Sequence, residues 1–65
     1  MYYVLEIQKG NETAPMLKTE HEDINTAEQK YHTVLAAAAV STVPAHTAVL
    51  MDDTGETLRR QTYYH

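Results

Sequence analysis

Four histidines, five tyrosines and one Arg-Arg pair are the side chains with which this 65-residue chain could do chemistry. The histidines, His21, His32, His46 and His65, are the types that bind metal. None stands at the i, i+4 spacing of a helical zinc motif, and with no cysteine a thiolate site is excluded. His21-Glu22-Asp23 could touch a cation, but such a run is normally a solvated loop, so no metal is expected. Ser41, His46 and Asp52 or Asp53 are the types of a nucleophile triad. No Gly-x-Ser-x-Gly elbow presents the serine, however. The two glycines fall in separate turns, so no glycine-rich phosphate loop exists. Catalysis also needs an enclosed, water-excluding pocket, which a chain of this size can hardly build. Neither an enzyme nor a cofactor is expected.

Binding chemistry is the better match to the residues. Arg59 and Arg60 could hold one or two phosphates through their planar forks, and tyrosine offers a stacking face. Alternation along a strand puts the two arginines on opposite faces. As bland charges they would simply discourage edge-to-edge aggregation. Tyr31 reads either as a core aromatic with its hydroxyl at the rim or as a ligand contact. His32 is its neighbour at the helix border, and His46 stands between Pro44 and a strand. Each reads as an ordinary polar side chain or as a contact to a ligand or a second subunit. Tyr31, His32, His46, Arg59 and Arg60 are therefore the candidate ligand-binding residues.

The elements that must position them follow from pattern and punctuation. Residues 2–8 alternate, with Tyr3, Leu5 and Ile7 expected inward on a first strand. Lys9-Gly10-Asn11-Glu12 reads as a tight turn, and residues 13–20 as a weaker return strand in which Pro15 suits an edge. Asn25 is the expected N-cap, with Glu28 closing a capping box. A helix should run from Thr26 to Val40 or Ser41, with Ile24, Ala27, Tyr31, Val34, Leu35 and Ala38 toward the sheet. Pro44 ends it. Residues 46–51 and 56–64 read as two more strands around an Asp52-Asp-Thr-Gly55 turn. The expected fold is α+β in the order ββαββ. A four-stranded, mainly antiparallel sheet carries one Ala-rich helix on one face, in a single domain over residues 1–65.

Two further features concern partners. Val34 to Val40 is apolar at seven successive positions, so the helix keeps no polar outer face. A chain this small has a thin core and commonly oligomerises. Self-association through the outer face of residues 34–41 is therefore expected. The net charge of −4 argues against a general grip on DNA or RNA. No apolar run is long enough to span a bilayer, and Met1-Tyr-Tyr-Val-Leu-Glu6 lacks the basic start of a signal peptide. A cytoplasmic protein without membrane contact is expected.

Met1-Tyr-Tyr-Val-Leu-Glu-Ile-Gln8, Gln29-Lys-Tyr-His-Thr-Val-Leu-Ala-Ala-Ala-Ala-Val-Ser41 and Val43-Pro44 together carry a resemblance. They resemble a family of short uncharacterised proteins encoded in phages, prophages and mobile elements of Gram-positive gut bacteria. The helix is its most specific part; the acidic loop and the strand at 13–20 match least. The resemblance implies an origin and a host-cytoplasmic setting, and it transfers no functional residue. Within that setting two readings stand. In one, a homo-oligomer acts as an anti-defence sponge, sequestering a host nucleotide immune signal in pockets between subunits. In the other, the chain is a protein-interaction module, either a virion or assembly accessory or a direct inhibitor of a host defence protein. A closed interface pocket lined by Arg and Tyr would support the first. A continuous exposed patch would support the second.

Overall fold

A computed structural model describes residues 1–10 and 15–65. The elements are β1 (Tyr2–Lys9), β2 (Met16–His21), α1 (Ile24–Ala39), β3 (Ala45–Asp52) and β4 (Thr57–Tyr64). The four strands form one sheet in the order β2-β1-β3-β4, antiparallel at every pairing. The expected α+β order and the single helix on a four-stranded antiparallel sheet are what the chain adopts. Part of the expected first turn and the start of the return strand, residues 11–14, lie outside the described residues.

The helix begins at a different cap from the one expected. Asp23, in extended backbone, accepts from the Thr26 backbone N–H at 2.9 Å, which satisfies one of the helix's unpaired first-turn donors. Asn25 lies within the first turn, and Glu28 closes no capping box. Asp23 prevails because Thr26 also returns its hydroxyl to the Asp23 carbonyl at 3.2 Å, doubling the contact. At the other end, the Ala38 carbonyl accepts from the Ser41 backbone N–H at 3.2 Å and from His65 Nε2 at 2.9 Å, so the last strand reaches back to close the helix end.

Helical spacing brings Ala27, Tyr31, Val34 and Ala38 to the sheet, where all four are buried. They pack on Val4, Ala48 and Leu50, with Tyr2 and Leu35 partly buried at the margin. Alanines at 27 and 48 let the helix backbone come close to the sheet, and the bulk of Tyr31 fills the space beside them. The expected inward set of β1 is reversed. Val4 is 2% exposed against the helix, with Tyr2, Glu6 and Gln8 on its face, while Tyr3, Leu5 and Ile7 point the other way. The register of β3 decides this. His46, Ala48 and Leu50 face the helix, and directly opposite residues share a face, so Gln8, Glu6 and Val4 must join them.

The β3–β4 turn is as expected. Gly55 has φ +91°, the region favoured by glycine. The Asp52 carboxylate accepts from the backbone N–H groups of Thr54 at 2.9 Å and Glu56 at 3.1 Å. Beyond the turn the ladder slips: Leu50 pairs with Arg59 but Met51 with Thr57, leaving Leu58 as the extra residue of a bulge.

Candidate functional site

Three of the five candidate residues meet where α1 crosses β4. Glu28 accepts a charge-assisted hydrogen bond from Arg59 Nε and lies 3.4 Å from His32 Nε2, one helical turn on. Tyr31 stands beside them, its ring edge-on to His32 at 5.5 Å between centroids. Burial pushes the Tyr31 phenol pKa up, offset in part by the positive charge of Arg59. The Glu28 carboxylate raises that of Arg59 in turn. Arg59 and His32 are exposed, so the cluster is an open edge in which the one guanidinium already holds a carboxylate.

His46 lies apart from this edge. It is 4% exposed, and its Nε2 donates to Glu6 Oε2 at 2.7 Å across the β1–β3 pairing, to which Gln8 Nε2 adds a weaker contact at 3.3 Å. Its Nδ1 is buried with no hydrogen-bond partner among the described residues. Glu6 also lines a cleft of about 240 Å³ between α1 and the β2 side of the sheet, with Val4, Leu17, Thr19, Lys18, Lys30 and Val34. The cleft is smaller than the ligand pockets of roughly 300–1,000 Å³ that enclose small molecules. The sequence marks Glu28 only as a capping-box residue and Glu6 as no site residue at all. Both act through partners 40 and 31 residues away, a separation that no local pattern encodes.

Arg60, the fifth candidate, occupies the opposite face of the sheet, as alternation requires. That face carries no helix. Reading across the strands, Glu20, Tyr3, Met51 and Thr57 form one row, and Lys18, Leu5, Val49 and Arg60 the next. Met16, Ile7, Thr47 and Thr62 form a third. The middle of the face is apolar, from Tyr3, Leu5, Ile7, Val49 and Met51, and its charges stand on the outer strands. An antiparallel sheet with one wet face alternates apolar with polar residues. β1 and β3 instead read Tyr-Tyr-Val-Leu and Ala-Val-Leu-Met, the continuous pattern of strands covered on both sides.

The two unpartnered surfaces differ in what covering them would contribute. Ala36, Ala37 and Ala39 on the outer helix face present one methyl each, about 0.8 kcal/mol apiece when buried. Leu5, Ile7 and Met51 are only half-buried, and completing their burial draws on the roughly 1.5–3 kcal/mol available to a side chain of that size. On the helix side Val40 is 83% exposed and Ile24 36%, with Leu17 at 58% beside the cleft. Residue for residue, the side chains at the middle of the sheet face are larger than the alanine methyls of the helix.

The remaining histidines are dispersed, His21 bonding Thr19 Oγ1 at 2.8 Å and His65 the helix end. Among the described residues no helix is long and apolar enough to cross a membrane. No family model matches the chain, nor does any curated protein or solved structure.

Proposed function

We propose that the chain is a non-enzymatic interaction module, a small accessory protein of a phage or mobile element acting in the host cytoplasm. It works by apolar contact through the sheet face that the helix leaves open. The observation that carries this reading is the pair of central strands, apolar on the face that the helix leaves open. Apolar area removed from water is the dominant favourable term in protein association. The polar residues around the patch match the core-and-rim anatomy of protein interfaces.

The sponge reading is favoured by one observation, the convergence of Tyr31, His32 and Arg59 at the α1–β4 edge. It requires Glu28 to release Arg59 to a phosphate. Arg60, on the other side of the sheet, cannot close the same clamp within one subunit.

Native mass spectrometry of the protein purified from immune-activated host cells separates the two. The module reading expects no nucleotide to accompany the chain. A retained nucleotide that disappears with Arg59→Ala would move the function to the α1–β4 edge.

A further inference from the structure

We propose that the open sheet face is a homodimer interface, in which two copies stack sheet on sheet about a two-fold axis running across the strands. This rests on the reading of the chain as an interaction module and names its partner as a second copy.

Area is the first argument. Four strands of up to eight residues, about 4.8 Å apart and rising about 3.3 Å per residue, give a face of roughly 500 Å². Two such faces bury roughly 1,000 Å², about the least that a specific interface needs. Sheets stacked this way keep their strands within about 30° of each other, with the side chains of both inner faces forming one core. The product is a four-layer α/β/β/α sandwich with β1 and β3 covered on both sides.

Charge selects the occupant and the axis. Lys18 and Glu20 stand two residues apart on the β2 edge, 3.7 Å from each other and more than half exposed, free to exchange partners. A two-fold axis across the strands, between the Tyr3 row and the Leu5 row, lays each Lys18 over Glu20 of the other copy. It also brings Tyr3 against Leu5 and Met51 against Val49. An axis along the strands would instead set Lys18 over Arg60 of the other copy, a like-charge contact that penalises the wrong arrangement. A nucleic acid fits less well. The centre of the face is aliphatic, and the Lys18 ammonium already covers the Tyr3 ring, 5.3 Å from its centroid.

Sedimentation equilibrium at micromolar concentration tests this with the full chain. The expected mass is twice the 7.4 kDa of one chain. Leu5→Glu buries an unpaired charge and should weaken the dimer on the order of a hundredfold or more. Ala37→Glu, on the outer helix face, should leave the dimer intact. Lys18→Glu should weaken it roughly tenfold, and Lys18→Glu with Glu20→Lys should restore it. Should Leu5→Glu fail to fold by circular dichroism, Met51→Glu takes its place. A monomeric wild type, a dimer that survives both sheet-face variants, or one lost with Ala37→Glu would overturn the interface. Failure of the double reversal to restore association would overturn the axis. A monomer leaves the module reading open to a different partner, whereas a retained nucleotide removes that reading whatever the mass.

Discussion

Glu6 spends its place in a small core on a carboxylate, and His46 is what makes that tolerable. A buried polar group costs little while it is paired and much when its partner is removed. Glu6→Leu would leave both His46 ring nitrogens without a partner, and urea unfolding should show a loss of about 1–3 kcal/mol. Combining it with His46→Leu should recover most of that loss, because an apolar pair of similar volume carries no unpaired group. Equal stability of Glu6→Leu and wild type would show that the pair holds nothing together. Asp52 gives the pH dependence. Its pKa is lowered from 3.8, first by the Thr54 hydroxyl and then by backbone N–H groups. A depressed carboxyl stabilises the fold above its unfolded value, and the gain is lost as pH falls through the lower folded value. Asp52→Asn should therefore differ from wild type at neutral pH and converge with it once the pH has fallen through the lowered folded value. A gap of constant size across that range would place the turn's stability elsewhere.

At the scale of elements, helix and strands were legible because each carries its own period and its own punctuation. Pro44 and Gly55 mark their turns, and the Ala27, Tyr31, Val34, Ala38 spacing names the buried stripe. The cap and the facing of β1 were not legible in the same way. Asp23 and Asn25 are both good caps two residues apart, and only the Thr26 geometry separates them. Asp23→Ala should cost about 1 kcal/mol in chemical denaturation and Asn25→Ala far less; equal losses would restore Asn25. On β1 the set with Glu6 and Gln8 is the more polar, so period alone points the wrong face at the helix. Pairing with β3 settles it, and pairing is a long-range property. Leu50, fully buried between the layers, is the most sensitive position of the core, and Leu50→Ala should cost about 2–5 kcal/mol. A loss under 1 kcal/mol would mean that the helix does not seat on β3 as described.

For the whole molecule, the open sheet face offers larger apolar side chains for burial than the alanines of the outer helix face. The run Val34 to Val40 drew attention to the helix because seven successive apolar residues are conspicuous, yet most of them are alanines. The sheet face is assembled from residues as distant as Tyr3, Met16, Val49 and Arg60, which only the fold brings together. For the same reason Tyr31, His32 and Arg59 could be named singly but not as one edge gathered around Glu28. The central claim is that β1 and β3 are covered on their second face by another copy. Nuclear Overhauser contacts between subunits, read in a mixture of isotope-labelled and unlabelled chains, test it most directly. The account predicts contacts between subunits from the Leu5 and Val49 methyls to the Tyr3 ring and the Met51 methyl, and none from the Ala36 or Ala37 methyls. Intersubunit contacts confined to Ala36, Ala37 and Val40, or none at all, would contradict it.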